Sequence, residues 1–158
     1  MYLADTTGEL NQLILQERGS LICIHQGDEN FVDSLRQILA ALLTGNSIIH
    51  ISNSDYDFSN HINDSNLNLV YQRVAINDES YLQDCLSSEH LAGIAASVPD
   101  PFLQWLDRVL SQREGSILPL ILENSGPTLM QRFVLEKSVS TNTTASGGNT
   151  TLLAMADE

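Results

Sequence analysis

The chain has 158 residues, 42% of them hydrophobic, and a formal net charge of −13 from 20 acidic and 7 basic residues. This length and apolar content suffice for one domain with its own core, without disulfides or metals. The basic residues do not cluster along the sequence. Because phosphate binding needs concentrated positive charge, the composition argues against nucleic acids and anionic membrane surfaces as partners.

The sequence also predicts a cytoplasmic location. Residues 1–12 lack the basic start and apolar run of a signal peptide, and no apolar run reaches the roughly 18 residues of a membrane span. Cys23 and Cys85 lie within apolar patterns and lack the spacing of a redox or zinc motif. They are therefore predicted to be buried, reduced thiols.

The first half of the chain indicates the fold class. Residues 20–25, SLICIH, form a short apolar run that is typical of a buried strand. A helix follows, in which Asp28 or Asn30 can cap the start and Gly45 can close the end. Its apolar positions, predicted to face the core, are Val32, Leu35, Ile38, Leu39, Leu42 and Leu43. With a second strand at residues 47–51, this pattern predicts a βαβ unit with parallel strands.

The rest of the chain continues the alternation of strands and helices. Further strands are predicted at residues 67–76, 91–98 and 117–122, although the alanine-rich run 91–98 also fits a helix. Residues 52–66 are polar and predict a surface loop. Three helices are predicted. The first is short, with Tyr81, Leu82, Cys85 and Leu86 on one face, and the second opens at Asp100 and Pro101 and is closed by Gly115. The last starts at Pro127, with Leu129, Met130, Phe133 and Val134 facing inward. Pro119 donates no ladder hydrogen bond, so it must lie near the start of its strand or at a sheet edge.

From Ser138 the character of the chain changes. Residues 138–142 alternate as in a strand, residues 145–148 read as a flexible turn, and residues 149–155 are again β-prone. Uncharged, β-prone edges invite pairing. The tail is therefore predicted to have a partner strand.

The strand-to-helix turn at residues 25–30, HQGDEN, is where a dinucleotide pyrophosphate would lie in such a fold. The fingerprint requires several glycines there, so that the backbone can approach the phosphates. This turn has one glycine, Gly27, followed by Asp28 and Glu29, whose charges repel phosphate. The sequence therefore argues against a bound nucleotide.

Other candidate sites have plainer interpretations. A possible metal cluster comprises His50, Asp55, Asp57, His61 and Asp64. Its spacing matches no recognised site, and a solvated loop explains the same residues. Cys85 and His90 are a close Cys/His pair, but no Lys or Arg near Cys85 would lower its pKa, so core packing is favoured over catalysis. Trp105 is interpreted as a core or interface residue. We accordingly predict no catalytic, cofactor-binding or metal-binding residue.

Residues 132–153, RFVLEKSVSTNTTASGGNTTLL, resemble the C-terminus of proline utilization A, the bifunctional flavoenzyme that oxidises proline to glutamate. Longer members of that family end with a similar motif, Glu-basic-Ser-(Val/Leu)-Ser-x-Asn-Thr, which is followed further along the chain by Gly-Gly-Asn. Residues 7–11, TGELN, with Arg18 and Gly19, resemble the junction at which the family's aldehyde dehydrogenase module passes into its C-terminal domain. Between these ends the likeness is one of pattern.

The resemblance implies a Rossmann-like α/β domain of the aldehyde dehydrogenase superfamily type, with a β-flap tail and without catalysis. In agreement, the strand ending at Val98 is followed by Pro-Asp-Pro rather than by the Gly-Ser turn that aldehyde dehydrogenases need. The implied division is a linker at 1–18, the α/β domain at 19–137 and the tail at 138–158. By the resemblance, Asn142, Gly147, Gly148 and Asn149 would contact the dehydrogenase module and help close the tunnel between the two active sites.

The same resemblance implies that FAD and NAD belong to the parent enzyme and not to this domain. It also allows the parent enzyme to lie peripherally at the inner membrane. Two alternatives stay open at this stage: a free-standing Rossmann-like nucleotide-binding protein, and a homo-oligomer formed through the tail.

Overall fold

The computed structural model describes residues 9–55, 62, 71–75 and 79–142. The chain divides into two compact units. Residues 17–135 form an α/β unit, and the second unit joins the two ends of the chain, of which residues 9–16 and 136–142 are described.

The α/β unit is built on a five-stranded sheet in which each adjacent pair of strands is parallel. Its strands are β2 (Ser20–His25), β3 (Ser47–Ser52), β4 (Tyr71–Ala75), β5 (Leu91–Ser97) and β6 (Leu120–Ile121), in the order β4-β3-β2-β5-β6. The predicted strands at 20–25 and 47–51 are confirmed, and the run at 91–98 is a strand rather than a helix. The sheet confirms the α/β, Rossmann-like fold class.

Helix α1 (Phe31–Leu43) covers one face of this sheet and ends where predicted, because Gly45 adopts a positive φ of 88°. Its orientation differs from the prediction. Val32, Leu39 and Leu43 are exposed, whereas the polar Gln37 is buried. The Asn30 side chain also does not cap the helix but donates to the Gln26 carbonyl. The helix is rotated because its buried face must supply polar groups to the sheet as well as apolar ones.

Helices α2 (Glu79–Ser87) and α3 (Asp100–Ser111) cover the other face. On α2 the predicted inward residues Leu82 and Leu86 are buried, but Tyr81 is 47% exposed. The N-cap of α3 is Pro99, with Asp100 in the first turn, so the helix begins one residue earlier than predicted and lacks a side-chain cap.

Gly93 allows the close packing of β5 that its composition suggests. A Cβ atom at this position would lie 3.0 Å from Pro119 Cγ and 3.1 Å from Leu21 Cδ2. Pro119 immediately precedes the edge strand β6, as its missing N–H requires.

Two predicted elements in the last third of the unit are wrong in extent or type. The strand expected at 117–122 is reduced to Leu120–Ile121, and Ile117 is 98% exposed. In place of a last α-helix the chain forms a short 3-10 turn, Met130–Phe133, that buries Phe133 completely. Val134 already belongs to the next strand, so this segment is too short for a regular helix.

The second unit contains a two-stranded sheet of β1 (Glu9–Glu17) and β7 (Val134–Asn142). The prediction that residues 138–142 are strand with a partner is confirmed, and the partner is the beginning of the same chain. Residues 9–17, which lie within the predicted linker at 1–18, form a strand. The predicted turn at 145–148 and strand at 149–155 lie outside the described residues.

Asn46, 2% exposed, ties the start of β2 to distant parts of the α/β unit. Its Oδ1 accepts hydrogen bonds from the backbone N–H groups of Arg18 and Gly19, at 2.8 and 3.0 Å. Its Nδ2 donates to the carbonyls of Ala41 and Phe133, at 3.1 and 2.9 Å. One side chain thus serves four backbone groups, of which the Ala41 carbonyl also accepts from the Asn46 N–H at 3.1 Å.

Replacing Asn46 with Ala should lower the free energy of unfolding by roughly 2–4 kcal/mol, because the Arg18 and Gly19 N–H groups and the Phe133 carbonyl would lose this partner at once. Urea denaturation followed by circular dichroism measures the loss. Asn124→Ala is the matched control, since Asn124 donates one partly buried hydrogen bond, to Asp33, and should cost under about 1 kcal/mol. Equal losses in the two variants would contradict the role of Asn46.

Candidate functional site

In open parallel sheets, ligands bind outside the carboxyl ends of the strands, at the point where the strand order reverses. Here β2, β3 and β4 run to one side of the sheet, and β5 and β6 lie on the other side of β2. The reversal therefore falls between β2 and β5. The residues around this point define the candidate site.

Gln37, on helix α1, lies beside this point, at the carboxyl ends of β5 and β6. Its side chain is 1% exposed, and its Nε2 lies 3.4 Å from the Ala96 carbonyl oxygen, 3.3 Å from that of Ile121 and 3.1 Å from that of Glu123. Its Oε1 accepts a hydrogen bond from Ser97 Oγ at 3.1 Å. The chain's own amide therefore joins the carboxyl ends of β5 and β6, next to the crevice between β2 and β5.

The turn after β2 is also held by groups of the chain itself. Gly27 has a φ of 81°, and a Cβ there would lie 2.5 Å from Glu29 Oε1, so the Glu29 carboxyl group rests against the glycine. Asp28 and Asp33 add two more acidic side chains at the start of α1. A phosphate group would meet carboxylates here rather than open backbone N–H groups.

A directed chain of hydrogen bonds links the turn after β2 to the turn after β3. His25 Nε2 donates to the Gly27 carbonyl at 2.7 Å, because a carbonyl can only accept. His25 Nδ1 is hydrogen-bonded to Ser52 Oγ at 3.2 Å, and Ser52 Oγ accepts from the Ser54 N–H at 3.0 Å. Ser54 Oγ in turn donates to Asp28 Oδ1 at 3.0 Å. Both nitrogens of this buried imidazole are thus occupied by structural bonds.

The structure does not assemble the metal cluster considered from sequence. His50 is completely buried, hydrogen-bonds the Tyr71 hydroxyl at 2.7 Å and stacks on His25 with ring centroids 6.1 Å apart. Asp55 is exposed, and Asp57, His61 and Asp64 lie outside the described residues. Among the residues that the structure describes, no group of three or more His, Cys, Asp or Glu side chains could hold a metal ion.

Neither cysteine has the environment of a catalytic nucleophile. Burial raises the pKa of Cys23 to about 12, so its thiol keeps its proton at neutral pH. Cys85 is partly buried on α2, and its hydrogen bond raises the pKa of Tyr81. His90 is exposed on the turn after α2. Trp105 packs on Phe102 with ring centroids 5.1 Å apart, next to the core, as one of its two interpretations predicts.

Of the four residues expected to contact a partner, only Asn142 is described. It is the last residue of β7 and is exposed. Gly147, Gly148 and Asn149 lie outside the described residues, so this assignment stays a prediction. Gln37 and His25, which define the carboxyl edge, were not identified from sequence. A polar residue inside an apolar helix stripe was the one available signal.

No protein-family model matches the chain, and the search among curated proteins finds no match. Among solved structures, a variant of Bradyrhizobium japonicum proline utilization A matches with a TM-score of 0.65 and 22% identity over 80% of this chain. A NAD-dependent benzaldehyde dehydrogenase from Corynebacterium glutamicum matches with a TM-score of 0.63 and 18% identity over 77% of this chain. The fold is aldehyde dehydrogenase-like.

These matches cover only part of the larger proteins. The chain spans 14% of the Bradyrhizobium protein and 28% of the benzaldehyde dehydrogenase. A lactaldehyde dehydrogenase shows the same relation, with a TM-score of 0.57, 22% identity and 27% of its length covered.

The described part of the chain contains no helix long and apolar enough to cross a bilayer.

We expect the two cysteines to differ in reactivity. Alkylation requires the thiolate, and Cys23 is both buried and kept protonated by its raised pKa, so iodoacetamide at pH 8 should modify Cys85 first. Peptide mass spectrometry over time measures both sites. Urea at unfolding concentrations is the control and should bring the two rates together. Rapid labelling of Cys23 in the folded chain would show that its burial is wrong.

Proposed function

We propose that the chain is a non-catalytic, aldehyde dehydrogenase-like domain of a bifunctional enzyme that oxidises proline to glutamate. In this proposal it packs on the dehydrogenase module and helps to close the tunnel through which the intermediate passes. The fold shared with proline utilization A structures supports the assignment, together with the resemblance of residues 132–153 to the end of that family's chain.

The observation that carries the non-catalytic part is the closed carboxyl edge of the sheet. Gln37 bonds the carboxyl ends of β5 and β6 beside the point where strand order reverses, and Glu29 rests against Gly27 at the turn where a pyrophosphate would lie. The net charge of −13 adds repulsion for any anionic cofactor. These contacts support the proposal that the scaffold is kept without a cofactor.

The two-stranded sheet supports the docking part. Ile14, Leu15 and Leu135 are large apolar residues on or beside this sheet, and they are 41%, 60% and 42% exposed. A two-stranded sheet is marginal on its own in water, and exposed apolar side chains mark interaction surfaces. Asn142 ends β7 on this sheet, and the Gly147, Gly148 and Asn149 motif follows it in sequence.

The cofactors in this proposal belong to the parent enzyme, with FAD at its proline-oxidising site and NAD at its dehydrogenase site. The similarity to a NAD-dependent benzaldehyde dehydrogenase is consistent with an NAD enzyme as the origin of the fold. A cytoplasmic parent enzyme, peripheral at the inner membrane, remains part of the proposal.

Calorimetric titration of the purified chain with NAD distinguishes this proposal from a free-standing nucleotide-binding protein. We expect no heat of binding, because the Glu29 carboxylate lies at the turn where the pyrophosphate would bind. A functional aldehyde dehydrogenase titrated in the same buffer is the positive control. Low-micromolar binding by this chain would favour the free-standing protein instead.

In the parent enzyme, Gly148→Trp should abolish transfer of the intermediate between the two active sites while each reaction alone keeps its rate. The bulky side chain would keep the tail motif from closing against the dehydrogenase module. The readout is the lag before NADH forms from proline, which should lengthen when transfer fails. Gln131→Trp, at an exposed position of the 3-10 turn, is the matched control. Slowed chemistry at either separate site would count against the proposal.

A further inference from the structure

An apolar groove runs along the free edge of the α/β unit, between helix α3 and strand β6. Two adjoining cavities of about 310 Å³ each share Asp107 and Leu120, so they form one continuous feature. We call this feature the β6 groove. Its lining includes Leu103, Asp107, Leu110, Ile117, Leu120 and Leu122. It lies wholly within residues 17–135, and no part of it belongs to the tail.

The groove has large apolar side chains in contact with water. Ile117 is 98% exposed and Leu122 is 46% exposed. Single exposed apolar residues are normal, but a contiguous set lining a depression is typical of an interaction surface. The hydrophobic area lost on docking here would be a source of binding energy.

The wall that carries Ile117 is fixed by Arg113. The guanidinium group donates from Nε to the Leu86 carbonyl at 3.1 Å, from Nη1 to that of Ser116 at 2.8 Å and from Nη2 to that of Ser88 at 2.8 Å. Three bonds from one planar group hold the loop against the end of α2. Ile117 is therefore presented by an ordered wall, and little ordering entropy would be lost on binding.

The backbone of β6 offers an edge for pairing. The Ile94 N–H donates to the Pro119 carbonyl at 2.9 Å, and Ile94 stands opposite Leu120 in the parallel register. In a parallel ladder a residue bonds to the two residues on either side of the one opposite it, and not to that residue itself. Ile94 therefore bonds beside Leu120, and the N–H and C=O of Leu120 point away from β5. An extended chain laid in the groove could bond to these groups.

The charge of the protein restricts what can occupy the groove. Asp107 lines both cavities and therefore lies at the middle of the feature. A second copy of the chain would also carry a net charge of −13, and the repulsion between the two copies opposes self-association. A lysine or arginine opposite Asp107 would instead be attracted.

We propose that the β6 groove binds an extended apolar segment of a partner protein, which adds to the sheet beside β6 and places a basic side chain against Asp107. Strand addition of this kind draws affinity from backbone bonds and specificity from alternate side chains in flanking pockets. The surface is separate from the tail, so this inference does not depend on the tail docking to a dehydrogenase module.

The probe is a capped peptide, Val-Thr-Val-Lys-Val-Thr-Val, titrated into the full-length ¹⁵N-labelled chain and followed by amide chemical shifts. We expect saturable shifts centred on residues 117–122, lost in Ile117→Ser. Val32→Ser is the matched control, since Val32 is also an exposed apolar residue, at 52%, but lies on α1. It should leave peptide binding unchanged.

A peptide with glutamate in place of lysine tests the charge, and should bind roughly fivefold more weakly because it loses one exposed ion pair. Asp107→Lys should reverse the preference between the two peptides. Three results would overturn the proposal: shifts that centre elsewhere or do not saturate, equal affinity for both peptides, or a dimer in sedimentation equilibrium that Ile117→Ser dissolves. The last result would make a second copy of the chain the occupant.

Discussion

Backbone carbonyls at the carboxyl ends of β5 and β6 must find donors in a place that excludes water, and Gln37 supplies them. Its amide serves Ala96, Ile121 and Glu123 while its oxygen receives the Ser97 hydroxyl. Leaving such groups unpaired would cost on the order of 1–3 kcal/mol each. The same bonds join α1 to both strands. The arrangement of the sheet therefore depends on a polar residue that stands in an otherwise apolar helix face.

The functional consequence comes from where this amide lies. Parallel α/β sheets keep a crevice at the reversal of strand order, and dinucleotide enzymes place their cofactor there. Here Gln37 bonds the strand ends on one side of this crevice, and the turn after β2 carries Glu29 against Gly27. The aldehyde dehydrogenase-like fold is thus present without the open backbone that a phosphate requires.

Two surfaces of the chain differ in their physical character. The β1 and β7 sheet exposes apolar side chains on a pair of strands that is marginal in isolation. The β6 groove lies at a sheet edge and has a wall fixed by Arg113. The first has the features of a segment stabilised by packing against a larger body. The second has those of a preformed site for an extended segment.

The α/β class, the positions of β2, β3 and β5 and the end of α1 at Gly45 were predictable from sequence, because apolar runs and glycine conformations are local properties. The acidic residues in the turn after β2 were equally predictable from sequence. Tertiary structure decided that β1 pairs with β7, that Gln37 rather than Val32 faces the sheet, and that the segment before β7 is a 3-10 turn. These features depend on which distant carbonyls and strands need partners, and periodicity along the chain carries no information about such needs.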